Sequence, residues 1–267
     1  MLKDITLGQY FPGTSIIHRL DPRTKLILTF VYMACVFIVK SYVSNLAALL
    51  FLSVCIYLSR IKPSAVFRGL KPIMFIMIFT AVVNMFYTQG RVIWQLGFLK
   101  LTAEGIRQAF FMILRVAMLV IGTFLLTYTT SPIALTDGLE SMMGGLKRFN
   151  VPVHAFTMMM SIALRFIPTL LEETDKIMSA QKARGASFDT GKINERAKAL
   201  MPLLIPLFLS AFRRADELAV AMESRCYNGG EGRTRMKQLT MGRNDALAFI
   251  VGAALLVIII CLAVNGL

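Results

Sequence analysis

The sequence predicts an all-α integral membrane protein with about five transmembrane helices and a pair of long amphipathic helices on the cytoplasmic side. Hydrophobic residues make up 56% of the 267 positions and charged residues only 16%, far from the balance of a soluble domain. Several apolar runs approach the ~20 residues that cross a bilayer. Later apolar residues recur at steps of three, four or seven, which indicates helices and not strands.

The net charge of +14 would suggest nucleic acid in a soluble chain. Here many of the cations lie beside apolar runs, where they orient a membrane protein, so we expect no nucleic-acid partner. Cys35, Cys55 and Cys261 lie inside apolar runs, and no two cysteines have CxxC spacing. We therefore expect no disulfide framework, no metal site and no cofactor.

The order of the segments predicts three parts. Residues 1–131 form a membrane domain, residues 132–243 a cytoplasmic region of long helices, and residues 244–267 a final membrane helix. Five spans are predicted, at residues 26–39, 43–58, 73–87, 106–128 and 245–264.

The connections between these spans set the orientation. A tight turn at residues 40–42 joins the first two spans as an antiparallel pair, and residues 91–105 form a loop that contains Trp94. The connection after the second span holds four basic residues and no acid: Arg60, Lys62, Arg68 and Lys71. The positive-inside rule places this connection in the cytoplasm, and with it the N-terminus.

The fourth span contains Arg115, an ionisable residue well inside a membrane run. Such a residue is costly in lipid and normally faces other helices, a cavity or a partner. We favour a structural role, in which Arg115 pairs with a carbonyl group or with a polar side chain such as Asn84.

The segment after the fourth span contains two predicted helices. Ser131 followed by Pro132 is a helix start, and a short helix to about Met143 ends at two glycines. Residues 151–171 are long and apolar enough to pass as a span. They contain Arg165 and Pro168 and continue without a turn into acidic sequence, so we expect one amphipathic helix that reaches Ala183 and lies along the inner interface.

Two helical runs of this region end in the same kind of motif, an arginine between two small residues. The motifs are Ala183-Arg184-Gly185 and Ser224-Arg225-Cys226, with Asp175 and Asp216 each nine positions upstream. One interpretation is a cation that interacts favourably with the negative end of a helix dipole. The other is docking into a groove of a partner, and the presence of two copies favours docking.

Apolar side chains of the same two helices form a candidate interaction surface. The candidates are Met158, Met159, Met160, Leu204, Leu207 and Phe208. Flexible methionines suit a surface that packs against variable partners, although ordinary core filling explains a methionine triplet equally well.

Motifs of catalysis are missing from the sequence. It contains no GxxxxGK[ST], HExxH, GxSxG or CxxC pattern, and apart from Arg115 the spans hold no ionisable residue well inside them, where proton- or sodium-driven carriers usually have acidic residues. We do not expect an enzyme. A membrane-embedded enzyme and a self-sufficient secondary carrier stay open as alternatives until activity and uptake of the single chain are measured.

Three stretches of the chain carry a resemblance to a known family. They are LDPRTK at 20–25, ALRFIPTLLEETDKIMSAQKARGA at 163–186 and AMESRCYNGGEGRTR at 221–235. These stretches, and the chain over nearly its whole length, resemble the T component of bacterial energy-coupling factor (ECF) transporters. The second arginine motif departs from the Ala-Arg-Gly form, with a serine and a cysteine as the small neighbours.

The resemblance implies a non-catalytic scaffold in the bacterial cell membrane. It implies that Arg184 and Arg225 each dock on one of two cytoplasmic ABC-type ATPases, expected to be a heterodimer, which hydrolyse ATP. It also implies that the apolar faces of the two crossed coupling helices hold a substrate-binding S component for a vitamin or another micronutrient. Several S components could share this subunit, or one of the cobalt/nickel or biotin type could be dedicated to it.

Overall fold

A computed structural model describes residues 10–39, 41–96, 99–149, 152–186, 188, 193–229 and 239–265. The chain divides into two compact units. One is formed by Gly8–Gly138 with Leu239–Leu267, and the other by Leu139–Gln238. We call the first the membrane unit and the second the helical-arm unit.

The membrane unit consists of helices and one small hairpin. After the short helix α1 (Ile16–Arg19), its elements are α2 (Pro22–Ile38), α3 (Tyr42–Ser59), α4 (Pro63–Tyr87), β1 (Val92–Leu96), β2 (Leu99–Thr102), α5 (Ala103–Thr129) and α9 (Arg243–Val264). α4 packs along α5, and α2 packs against both α9 and α5. The predicted short connection between the first two spans is confirmed, but α2 finds most of its neighbours in α9 and α5 and few in α3.

A buried cluster at the meeting of α2, α3, α5 and α9 forms the core of this unit. Tyr32, Cys35 and Val36 of α2 pack with residues of the other three helices, including Ala48, Leu52, Met118, Leu255 and Ile259. The outer faces of these helices expose large apolar side chains, as expected for helices that face lipid.

A polar lock joins the first residues of α2 to the first residues of α9. Asp21 caps α2, and its own backbone N–H donates to Oδ1 of Asp245 at 2.8 Å. The second carboxylate oxygen of Asp245 accepts from the N–H of Gly242 at 2.8 Å. Lys25 donates to the carbonyl oxygens of His18 and Thr129, at 3.1 and 2.9 Å. The first residues of α2 and of α9 are thus joined by a buried hydrogen bond, from the N–H of Asp21 to Asp245.

Arg115 lies in the middle of α5 and donates from Nη2 to the carbonyl oxygen of Val39 at 2.6 Å. This confirms a carbonyl partner, and Asn84 instead donates to Thr80 of its own helix. α5 continues for twelve residues, about 18 Å, beyond Arg115 toward Ala103. α2 therefore ends opposite the apolar middle of α5, where a terminal carbonyl has no water to accept from.

Two boundaries differ from those the sequence predicts. Residues 91–105 are not simply a loop, because β1 and β2 pair antiparallel within them and α5 already begins at Ala103. α4 begins at Pro63, so Arg68 and Lys71 lie on its first turns and not in a connection. Proline at the first helical position explains the early start, since its missing N–H costs nothing there.

The short helix after the fourth span is confirmed as α6 (Pro132–Met142), with the N–H of Ala134 donating to Ser131 Oγ. A 3₁₀ turn at Met143–Phe149 follows it. The helical-arm unit then contains two helices of 31 residues each, α7 (Val153–Ala183) and α8 (Ile193–Glu223). α7 passes without a break from its apolar half through the acidic residues after Leu171, which confirms the predicted continuous helix.

Five helices are long and apolar enough to cross a membrane among the described residues: α3, α4, α5, α7 and α9. By the same criterion α2, with 17 residues, is one residue short. This supports a multi-pass membrane protein. Whether α7 or α2 is the fifth crossing depends on more than length and composition, and α7 carries an exposed Arg165 within its apolar half. We keep the prediction that α7 lies along the interface.

Candidate functional site

The candidate site is built on the C-terminal ends of α7 and α8, which have the same backbone geometry. At the first end, the N–H of Gly185 donates to the carbonyl of Lys182 and the N–H of Ala186 to that of Gln181. At the second end, the N–H of Cys226 donates to Glu223 and the N–H of Tyr227 to Met222. Both are Schellman turns, and Arg184 and Arg225 occupy the same capping position. We call them the two arginine turns.

The residue after each arginine has a left-handed backbone. Gly185 has a φ of +90° and Cys226 a φ of +57°. A glycine adopts this conformation without cost, whereas a residue with a Cβ atom loses roughly 1 kcal/mol. Cys226 therefore ends α8 as Gly185 ends α7, although nothing in the side chain of cysteine favours that conformation.

Every side chain of the two motifs is exposed: Ala183, Arg184, Gly185, Ser224, Arg225 and Cys226. None of the ion pairs found in the described part of the chain involves Arg184 or Arg225. The small neighbours leave each guanidinium uncovered. Both arginines are thus free to donate hydrogen bonds to groups outside the chain.

α7 and α8 contact each other through Glu173. Its carboxylate accepts hydrogen bonds from the hydroxyl of Ser210 and from Nη2 of Arg214, the latter at 3.0 Å. These two donors, Ser210 the stronger, hold the pKa of the Glu173 carboxyl below its usual value. The carboxylate is ionised at neutral pH and fixes the crossing point of the two helices.

A second contact shows that the helices run antiparallel. The hydroxyl of Tyr227, just past the end of α8, contacts the sulfur of Met158 near the start of α7 at 3.1 Å. Met158 precedes Glu173 on α7, whereas its partner Tyr227 follows Arg214, the partner of Glu173 on α8, in the chain. The two arginine turns consequently lie at opposite ends of the helix pair, each about 16 Å beyond the crossing point.

The apolar candidates divide by exposure. Met159, Met160, Leu204 and Phe208 are exposed, with 61% of Met159 and 66% of Phe208 accessible. Met158 and Leu207 are half-buried, Met158 under Tyr227. Four of the six predicted side chains are therefore available to a partner as they stand.

The sequence reasoning left out further exposed apolar residues of α8. Met201, Ile205 and Phe212 follow one another at helical spacing around Phe208, whose ring packs edge-on against that of Phe212 at 4.7 Å. Their recurrence at steps of four, three and four was the signal that could have identified them. Because the helices run antiparallel, Met159 and Met160 lie on the other side of the crossing at Glu173, so each helix exposes an apolar patch of its own.

Comparison with known proteins places this architecture in a family. Residues 13–236 match the family model CbiQ, described as cobalt transport protein. The chain is 57% identical over 247 residues to the energy-coupling factor transporter transmembrane protein of Ruminiclostridium cellulolyticum, with 92% of each chain covered. The chain belongs to the CbiQ family of energy-coupling factor transmembrane proteins.

Other members of the CbiQ family match over nearly the same length. The Thermosediminibacter oceani protein is 54% identical, with 96% of this chain and 97% of that protein covered. The Bacillus subtilis protein is 48% identical, with 96% and 98% covered. Both carry the same transporter name. The chain is therefore the transmembrane, or T, component of an ECF transporter, and both arginine turns lie inside the matched region.

Proposed function

We propose that the two arginine turns are the docking points of two cytoplasmic ABC-type ATPases. In this proposal the apolar surface of α7 and α8 holds a substrate-binding S component in the membrane. ATP is hydrolysed in the ATPases and not in this chain. The chain couples their movement to uptake of a vitamin or another micronutrient.

The observation that carries the proposal is the identical backbone of the two turns. Two helices of equal length end in the same Schellman turn with an exposed arginine at the same position. A cation needed only for the helix dipole could occupy any position of the last turn. Two equal turns fit two related subunits, each of which binds one turn in the same way.

Arginine suits such a contact because of its chemistry. Its charge is permanent, and its planar group donates several hydrogen bonds in a fixed geometry to carboxylates and carbonyl groups. Removing one partner from a desolvated charged contact typically costs 2–5 kcal/mol or more. Loss of one arginine should leave an assembled but poorly coupled complex, and loss of both should release the ATPases.

The antiparallel crossing supports a mechanical role for α7 and α8. Each arginine ends a helix that exposes apolar side chains farther along it, at residues 156–160 of α7 and at residues 200–212 of α8. When the ATPases approach each other on binding ATP, they would move the two ends toward one another. The crossing at Glu173 would then transmit that movement to the apolar halves and so to the S component.

The test compares R184E/R225E with the matched control K182E/R213E in the assembled transporter. Lys182 and Arg213 are exposed cations of the same two helices, so both pairs change the charge equally. We expect R184E/R225E to lose the ATPases and substrate uptake, while K182E/R213E keeps both. Normal uptake by R184E/R225E at normal protein levels would refute the docking role.

The transported substrate needs a separate measurement. The family description names cobalt, whereas the relatives are named only as energy-coupling factor proteins. The exposed methionines favour a subunit shared by several S components, because flexible side chains adapt to different surfaces. Co-purification in mild detergent distinguishes the two cases, since a dedicated subunit retains one S component and a shared subunit several. Uptake by this chain without ATPases would instead establish a secondary carrier.

A further inference from the structure

The membrane unit contains a cleft whose lining residues all belong to that unit. It has a volume of about 430 Å³ and lies between the segment before α1 and the connection from α3 to α4. Its walls include Phe11 from the first segment, His18 of α1, Arg60, Ile61 and Lys62 from the connection, and Ala65 of α4. This is the side of the membrane unit that the positive-inside rule assigns to the cytoplasm.

The charge of the cleft comes from Arg60 and Lys62. Both are exposed, and neither takes part in an ion pair within the described residues. Among the residues that the structure describes, no acidic residue lines the cleft. Lys62 also precedes the first turn of α4, where the positive end of the helix dipole adds to the potential. The positive potential of the cleft therefore favours binding of an anion.

Arg60 caps the C-terminal end of α3. Its φ of +56° and ψ of +25° are left-handed, a conformation that costs an arginine roughly 1 kcal/mol. His18 also lines the cleft, and its two ring nitrogens lie 2.7 Å from Ser15 Oγ and 3.0 Å from the carbonyl oxygen of Phe11. Burial also lowers the pKa of His18 from its usual value, which keeps the ring neutral near pH 7.

The surroundings of the cleft are apolar. Phe11, Ile61 and Ala65 contribute to its walls. On the helices that lead away from it, 83% of Tyr57 and 71% of Phe67 are accessible. Inorganic phosphate makes no apolar contacts with such a surface, whereas the acyl chains of a lipid would cover it. Basic pockets between transmembrane helices on this side of a membrane are known to take anionic headgroups.

We propose that the cleft formed by the residues before α1 and by the connection from α3 to α4 binds the phosphate headgroup of an anionic phospholipid of the inner leaflet. Arg60 and Lys62 pair with the phosphate. The acyl chains lie along the exposed apolar faces of α3 and α4. The bound lipid fills the cleft and ties the chain's first segment to the start of α4.

The test is titration of the full-length chain, purified in mild detergent, with phosphatidylglycerol, followed by native mass spectrometry. The variant R60Q/K62Q is compared with R68Q/K71Q, which removes two exposed cations of α4 that lie outside the cleft. We expect R60Q/K62Q to bind phosphatidylglycerol about 25-fold more weakly, since each basic residue near an anionic surface contributes about a fivefold factor. R68Q/K71Q should bind as the original chain does.

Two further arms separate the possible ligands. Inorganic phosphate and phosphatidylcholine should neither bind measurably nor displace phosphatidylglycerol. Displacement by millimolar inorganic phosphate would overturn the lipid as ligand, and equal losses in both variants would show only general attraction to the basic segment. If R60Q/K62Q does not fold, A65L fills the cleft without a change of charge. Unchanged binding by A65L would then place the lipid elsewhere and refute the proposal.

Discussion

The carboxylate of Glu173 on α7 pairs with the guanidinium of Arg214 on α8, and each lies eleven residues before the arginine that ends its own helix. The crossing point therefore lies at the same distance from both arginine turns. Equal movements at the two arginine turns would then produce equal movements on both sides of this ion pair, which makes Glu173 and Arg214 the pivot of the proposed device.

The first prediction concerns this pivot. E173Q and R214Q should each lower coupled uptake while the complex stays assembled, because the crossing is loosened and the docking turns are untouched. The pair is partly exposed, so its contribution to stability should be about 1 kcal/mol or less. A double-mutant cycle on uptake and on thermal unfolding measures the coupling. The charge swap E173R/R214E should recover part of the loss, and additive effects of the single changes would contradict a pivot formed by this pair.

The second prediction concerns the left-handed residues of the arginine turns. C226G should stabilise the chain by about 1 kcal/mol and G185A should destabilise it by a similar amount, because only glycine adopts positive φ without cost. Thermal unfolding in mild detergent measures both changes. Gly144 and Gly145 have no positive φ, and an alanine Cβ there would meet no atom within 4 Å, so alanine at either position is the control and should stabilise the chain by about 0.4–1 kcal/mol by restricting the unfolded state. A neutral C226G would mean that Cys226 is unstrained.

The third prediction concerns the buried lock between α2 and α9. D245A removes the acceptor for two N–H groups, of Asp21 and Gly242, and should lower the free energy of unfolding by about 2–4 kcal/mol. D245N keeps one carbonyl oxygen and should lose about half as much. The exposed Asp216 provides the control, and D216A should change thermal unfolding little. Equal effects of D245A and D216A would contradict the lock.

The fourth prediction concerns the placement of α7. A cysteine at Ala180, which is exposed, should react with an impermeant thiol reagent only from the cytoplasmic side. The native Cys226 should behave in the same way. Arg91 lies beyond the outer end of α4, and a cysteine there should react from outside intact cells. Labelling of position 180 from outside would show that α7 crosses the membrane.

The fifth prediction concerns the exposed apolar surface of α7 and α8. M159E and L204E should weaken retention of the S component and leave the ATPases bound, because an unpaired charge in an apolar contact costs several kcal/mol. Lys176 is exposed in the polar half of α7, and K176E is the matched control. Retention of the S component by both M159E and L204E would place its binding surface elsewhere.

The parts of the fold that the sequence predicted depend on local signals. The length of α7 was predictable because no turn residue interrupts it before Ala183. Ser131 with Pro132 marked the start of α6 in the same way. Arg115 was expected to pair with a carbonyl group or a polar side chain because few other hydrogen-bond acceptors exist at that depth in a membrane.

The parts that were missed depend on contacts distant in sequence or on backbone conformation. The bond from the N–H of Asp21 to Asp245 joins residues 224 positions apart and leaves no periodic pattern. The left-handed turn at Cys226 is imposed by the end of α8, since cysteine alone gives no such signal. The pairing of β1 with β2 was hidden because Gly and charged residues around Trp94 resemble an ordinary connection.

The candidate site was predictable in its residue types and not in its geometry. Arg184 and Arg225 were visible as a repeated motif, but Glu173 and Ser210, which set the crossing, were not. A glutamate within an acidic helix face has no distinguishing mark until the partner helix is placed beside it. The antiparallel direction likewise needed the contact between Tyr227 and Met158.

The hydrogen bond from Arg115 to Val39 has a consequence for how the chain is made. α5 carries an arginine into the bilayer, and a charged residue at the centre of an isolated helix adds about 2.5–3.5 kcal/mol to the cost of insertion. The carbonyl group that accepts from Arg115 belongs to the end of α2, which is synthesised before α5. The partner of Arg115 thus comes from a residue 76 positions earlier in the chain. We expect a chain that begins after α2 to insert α5 into the membrane less efficiently.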